Sequence, residues 1–261
     1  MAIDFELLDD GIAVITINRP EKRNALDPAH FALLADAWER VRDDDAIRVA
    51  IITGAGDKAF CAGGDLKVSA AGQGLEGNKS AIWNSRRNLM LSRGLEIWKP
   101  IIAAVNGHCL AAGMHMMMAT DIRVASPNAM FGLTEVLRGI LATNGGTQRI
   151  MRQLPHAIAM EMVLTGQPLD AETALRYGFI NRIVPLDQLM DAAIESARKV
   201  AANAPLALQA AKEMLLRSRD MSLSDGIRME TFVAQFLHNT EDGKEGPRAF
   251  SEKRKPKFTG R

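Results

Sequence analysis

The chain has 261 residues, 47% hydrophobic and 24% charged, with 32 basic against 31 acidic side chains and a formal net charge of +1. That is enough apolar chain for one sizeable core, and the balanced charge argues against a nucleic-acid binder, which carries a basic excess. No apolar run reaches the roughly 18 residues of a membrane span, and the acidic opening MAIDFELLDD lacks the basic-then-apolar pattern of a leader, so a cytoplasmic globular protein is expected.

In chain order, IDFELL and IAVITI flank Asp9-Asp10-Gly11 and predict a hairpin. Asp27-Pro28 supplies an N-cap and first-turn pair, and Phe31, Leu34, Ala35, Trp38 and Val41 follow at helical spacing. RVAIITG, at 48–54, is continuous and β-branched, as suits a strand buried on both faces. After a loop, a longer helix is expected over 79–98, ended by Pro100. IIAAVNG then repeats the buried-strand pattern, and DIRVAS and AMFG are further short strands. Strands alternating with amphipathic helices to about residue 200 predict an α/β class. From Ala201 the pattern turns helical, through APLALQAAKEMLLRS and SLSDGIRMETFVAQFLH, before the charged, aromatic-bearing EDGKEGPRAFSEKRKPKFTGR. The expected division is an α/β core over 1–200 and a helical region over 201–261, without internal repeats.

Two turns look alike, FCAGGDLK at 60–67 and NGHCLAAGMH at 106–115. Small residues there let a ligand approach the backbone closely. A helix beginning near Ala112 would leave its first N–H groups unpaired at the positive end of its dipole. Two such turns facing each other would offer convergent donors suited to an oxyanion; singly, each is more often a tight turn in a packed protein. Glu135, in FGLTEVLRG, follows a strand and precedes a glycine-containing turn, placed to enter a pocket or to face solvent. His115 stands inside a methionine run. Imidazole titrates near neutrality and can hold a water or carry a proton; a hydrogen-bonded structural histidine is the alternative. Met116, Met117 and Met118 read as core filler. His108, in the turn before the helix, reads as structural. Cys61 and Cys109 have no metal-ligand spacing, and His108, Cys109 and His115 are expected to lack a carboxylate partner nearby, so no metal is expected.

Taken together and in order, RPEKRNAL, FCAGGDLK, AAVNGHCLAAG, FGLTEVLRGI, GGTQR and FSEKRKPKF resemble the crotonase superfamily, the enoyl-CoA hydratases and isomerases. RVAIITGAGDKAF and EGPRAFSEKRKPKFTGR look most like bacterial enoyl-CoA hydratases and carnitinyl-CoA dehydratases. The resemblance implies a spiral of ββα turns with a helical C-terminal trimerisation region, assembled as a trimer or dimer of trimers. It implies an acyl-CoA thioester substrate, with coenzyme A as part of the substrate and no separate cofactor. The backbone N–H groups of Gly64 and Ala112 match the family's oxyanion donors. Lys22, Arg23, Ala25, Ala62, Gly64, Asp65, Leu66 and Lys67 match its CoA-binding stretch. Phe250 and Lys253 match positions that often reach the CoA of a neighbouring subunit, although a solvated charged tail is the other reading.

The resemblance also exposes a departure. Hydratases of this family hold a water between two glutamates; Glu135 matches the second, but His115 stands where the first belongs. Thr143, where some relatives place an aspartate, lessens the case for a dienoyl isomerase or dehalogenase. The expected activity is hydration of a 2-enoyl-CoA, or its reverse, by Glu135 and His115. The alternatives are an isomerase using Glu135 alone, an acyl-CoA hydrolase with His115 activating water, and a non-catalytic acyl-CoA-binding protein. The segment 70–88, with Trp83 or Met90, is expected to border the acyl pocket.

Overall fold

The hairpin comes first: β1 (Ile3–Leu7) and β2 (Ile12–Ile17) pair antiparallel, with Ile3 opposite Ile17. The computed structural model describes residues 2–70 and 90–261. In α1 (Pro28–Asp43) the Asp27 carboxylate accepts the N–H groups of Ala29 and His30, capping the helix as its sequence predicts. Leu34, Trp38 and Val41 are buried on one face of α1.

Three successive units then repeat one plan. The first is β3 (Val49–Gly54), β4 (Ala59–Cys61) and α2 (Leu66–Ala70). The second is β5 (Ile101–Val105), β6 (His108–Leu110) and α3 (Ala112–Met117). The third is β7 (Ile122–Ala125), β8 (Met130–Gly132) and α4 (Gly146–Gln153). The first strand of each unit joins a six-stranded sheet of order β1-β2-β3-β5-β7-β10, and the second joins a four-stranded sheet of order β4-β6-β8-β9. From β2 onward the larger sheet is parallel, as are β4, β6 and β8. Each unit thus adds one strand to each sheet, which is a spiral of ββα turns. Beyond it lie α5 (His156–Thr165), β9 (Leu169–Asp170), α6 (Ala171–Arg176), β10 (Arg182–Ile183) and α7 (Leu189–Ala201). The chain closes with α8 (Pro205–Arg217), α9 (Leu223–His238) and α10 (Glu241–Ser251).

Strand periodicity explains the two cores. Ala13, Ile15, Ile17, Ala50, Ile52, Ala103 and Val105 face inward with Trp38, Phe60 and Phe131. Ile12, Val14, Val49, Ile51, Ile102 and Val124 face the other way, onto Leu189, Ala193 and Ala197 of α7. β3 is therefore covered on both sides, which is why its run has no polar alternation. Among the described residues no helix is long and apolar enough to cross a membrane.

Two expectations need correction, and the charged tail proves ordered. Of the helix expected over 79–98, residues 79–89 lie outside the described residues, and Met90–Trp98 is not helical. Met90 and Arg93 instead exchange two backbone hydrogen bonds of 2.8 and 2.9 Å, and Gly94 follows at a φ of +81°, a left-handed conformation that interrupts any helix. His108 opens β6 rather than lying in a turn. The charged C-terminal stretch is not simply solvated. It forms α10, and Glu245 there accepts bonds from the side chains of Arg248 and Arg254 and from the N–H of Lys257. Asp242 accepts the N–H groups of Thr259 and Gly260, while Arg48 donates to the carbonyls of Ala201 and Phe258, fastening the chain end to the body.

Candidate active site

Both small-residue turns sit at ends of smaller-sheet strands, and packing brings them together. After β4 the chain pairs with the segment before α1: Ala62 N–H donates to Arg23 O, Leu26 N–H to Gly63 O, and Asp65 N–H to Leu26 O. In that parallel pairing Gly64 is the residue opposite Leu26, so its own N–H points away from the ladder. The Arg19 guanidinium braces the turn, 3.1 Å from Asp65 Oδ2 and donating to Ala25 O. After β6, Ala111 adopts a φ of +48° and a ψ of −116°, strained for a residue with a Cβ, and Ala112 opens α3 with no helical acceptor for its N–H. A Cβ on Gly63 would fall 2.9 Å from Ala111 Cβ and 3.6 Å from Ala112 N; one on Gly113 would fall 2.4 Å from Cys61 O. Only glycine allows this contact between the turns.

Two buried asparagines hold the turns in place, and the sequence reading assigned neither of them. Asn24 Nδ2 donates to the carbonyls of Ala55 and Ala59, and Asn106 Nδ2 to those of Gly54 and Gly56. The available signal was an asparagine beside small residues, where its amide satisfies a turning backbone. Arg123 was also missed. Its guanidinium donates to the carbonyls of Met118 and Thr120 at the end of α3 and to Phe179 O, and burial pulls its pKa down to about 10. Cys61 and Cys109 are register partners across β4 and β6. Burial pushes the Cys61 thiol up to about 12 and raises that of Cys109, so both are neutral packing groups.

His115 lies one turn into α3 and Glu135 opens a short 3-10 turn, Glu135–Arg138, after β8. The two are 5% and 6% exposed, and His115 Nε2 stands 2.8 Å from Glu135 Oε1. The ring N–H is not aimed along that contact, so neither nitrogen of His115 and neither oxygen of Glu135 has a well-aligned hydrogen bond. Apart from Arg123 Nε, these are the only such side-chain atoms among the described residues. Buried polar groups are nearly always satisfied, so four such atoms in one place single out this pair as the candidate site.

A cleft reaches His115. Leu26, Phe31, Leu34, Trp38, Met90 and Met116 line it, together with Ala112, His115 and Asn144. Met90 is thus in the cleft wall; Trp83 lies outside the described residues. Glu135 does not line the cleft as described; it stands behind His115. The backbone bonds above bring Lys22–Ala25 beside Ala62–Lys67, with Lys22, Arg23, Leu66 and Lys67 exposed. Phe250 is 87% exposed on α10, and Lys253 is exposed just after it. No described contact joins either residue to the cleft.

Known proteins carry the same plan. Residues 8–261 match the family model described as enoyl-CoA hydratase/isomerase. The chain is 44% identical to the (E)-benzylidenesuccinyl-CoA hydratase of Thauera aromatica, with all of both chains covered. It is 39% identical to the carnitinyl-CoA dehydratase of Proteus mirabilis over 96% of each. The crystal structure of an enoyl-CoA hydratase from Bacillus anthracis superimposes with a TM-score of 0.90 at 33% identity, covering 100% of both chains. One from Mycobacterium tuberculosis gives 0.88 at 38%, covering 100% of this chain and 99% of that one. Together with the ββα spiral, these matches show that the chain is an enzyme of the enoyl-CoA hydratase/isomerase family, with the crotonase fold.

Proposed function

We propose that this enzyme adds water to the double bond of a 2-enoyl-CoA thioester, or removes it from the 3-hydroxyacyl-CoA. The observation that carries the reading is the buried His115–Glu135 pair, whose His115 lines the cleft together with Ala112. The N–H groups of Gly64 and Ala112 would bind the thioester oxygen as it gains enolate charge. They need no reorganisation, because both turns are locked by packing. Water attacks Cβ; the pair takes one proton from it and delivers one to Cα, so it ends as it began. His115 faces the cleft and handles the water, and Glu135 against Nε2 offsets the charge of the ring when protonated. The relatives named as a hydratase and a dehydratase of CoA thioesters support the same chemistry.

The CoA body would run along the Ala62–Leu66 backbone, with Lys22, Arg23 and Lys67 near its phosphates. Coenzyme A then enters only as part of the substrate. Assembly as a trimer or dimer of trimers is supported by α8 and α9, which bury no residue fully and leave Leu215, Leu223, Ile227, Phe232 and Phe236 between 53% and 81% exposed.

One observation favours a second reading. A water held between two groups needs their atoms about 5 Å apart, the span of two hydrogen bonds, but His115 and Glu135 touch at 2.8 Å. An isomerase needs no such water, since Glu135 alone could move a proton between Cα and Cγ. The deciding assay mixes the protein with a short 2-enoyl-CoA and follows its conjugated-thioester absorbance, with the mass of the product. Loss of the band with a gain of one water supports hydration. An unchanged band, with conversion of a 3-enoyl-CoA, would replace hydration with isomerisation.

A further inference from the structure

The geometry assigns Gly146 a positioning role: its missing side chain is what allows the His115 ring to lie against Glu135. This rests on the reading in which that pair carries the chemistry. A Cβ at Gly146 would sit 2.7 Å from both Cδ2 and Nε2 of His115, far inside contact distance. The same Nε2 is the atom 2.8 Å from Glu135. One edge of the imidazole is therefore clamped between a carboxylate and a bare backbone.

Neither side of the clamp can retreat. On the His115 side, Gly113 packs so closely on Cys61 that α3 cannot move toward β4, and Arg123 and Gln153 bind the carbonyl of Met118 at its far end. On the other side, Gly146 N–H donates to Thr143 O at 2.8 Å, after Asn144 and Gly145 turn the chain at φ values of +52° and +81°. Arg149 holds that turn from behind, donating to the carbonyls of Asn144 and Ser92. The next nearest atom to an added Cβ is Ala142 Cβ at 3.2 Å, a contact small shifts relieve. What must move is the imidazole, which swings Nε2 off Glu135. Gly146 touches no reacting atom in this account; it acts through the ring.

The test is a double-mutant cycle on the full-length protein: parent, Gly146→Ala, His115→Ala and the double variant, each assayed with a 2-enoyl-CoA and melted. Gly146→Ala should lower kcat by about tenfold to a hundredfold, the scale of a catalytic group misplaced by an ångström. KM should stay within about twofold, because the CoA contacts are untouched. In the His115→Ala background the same change should cost neither residual activity nor melting temperature, since the added methyl enters space the ring has left. A kcat within about twofold of the parent would overturn the assignment. So would an equal loss of melting temperature with and without the ring, which would make Gly146 a structural glycine only. Should the parent not hydrate the substrate, hydration fails as a reading, yet the melting cycle still decides whether the ring is what Gly146 accommodates.

Discussion

Two glutamates of this chain are equally buried, at 6% exposure, and could hardly be treated more differently. Glu245 is saturated: the Arg248 and Arg254 guanidiniums and the Lys257 N–H hold its carboxylate well below the usual range. Among the described residues the Glu135 carboxylate has one ion-pair contact, the His115 ring, and no well-aligned hydrogen bond on either oxygen. A filled hydrogen-bond shell fixes a carboxylate in one state and place, whereas an unfilled one leaves lone pairs for a proton in transit. Burial alone therefore does not distinguish structure from chemistry; satisfaction does.

Exchanging each carboxylate for an amide sharpens that contrast. Glu135→Gln should lower kcat by about 10²- to 10⁴-fold, the scale of removing the carboxylate that supports a catalytic imidazole or, in an isomerase, the acid–base itself, while the melting temperature holds or rises. His115→Ala should be comparably damaging if the enzyme hydrates, and mild if Glu135 isomerises alone. A Glu135→Gln variant with full activity would show that unsatisfied burial had been misread as function.

Asn24 belongs to the saturated class. Asn24→Ala removes a side-chain donor to Ala55 O and one of two side-chain donors to Ala59 O, the other being Asn106, and places alanine at a φ of +55°. Denaturant unfolding should show a loss of about 2–3 kcal/mol. A loss below about 0.5 kcal/mol would mean that water replaces the amide.

Glu245→Gln should have the next smaller effect, and pH gives its sign. The folded carboxyl titrates below its unfolded counterpart, so its contribution is complete above the unfolded value, about 4.3, and fades as pH falls through the folded one. The variant should melt earlier than the parent at pH 7, and the two curves should converge in acid. A constant gap down to low pH would locate the stabilisation in shape rather than charge.

The same contrast explains which parts could be read from sequence. The hairpin, α1, β3 and β5 announce themselves, because alternation, an Asp-Pro cap and unbroken β-branched runs are local patterns. β4 and β6 do not: Ala59–Cys61 and His108–Leu110 are too short to show a period, and they are strands only because each finds a partner. The stretch before Pro100 carries helix-like hydrophobicity through Leu91, Leu95 and Ile97, but Gly94 and the Met90–Arg93 turn override it. At the site, the positions of His115 and Glu135 were legible from the motifs, yet their direct contact was not, because it joins residues 20 apart in sequence through two turns. The Glu245 hub was hidden for a related reason: mixed charges in a tail look solvated until the fold brings them around one carboxylate.

The smallest effect on the fold belongs to Phe250, and it ties the two glutamates together. At 87% exposure it buries almost nothing, so Phe250→Ala should change unfolding free energy by less than about 0.5 kcal/mol. Yet Phe250 sits on α10 about a turn and a half beyond Glu245, whose bonds to Arg248, Arg254 and Lys257 hold the helix and the chain after it in one shape. An exposed aromatic on so firmly braced a helix costs little entropy to use as a contact. If Phe250 meets the CoA of a neighbouring subunit, Phe250→Ala should raise KM severalfold with kcat unchanged. Glu245→Gln, by loosening the same helix, should raise KM in the same direction but less. An unchanged KM in both variants would confine Glu245 to stability and leave Phe250 as exposed surface, whereas Glu135→Gln would still act on kcat alone.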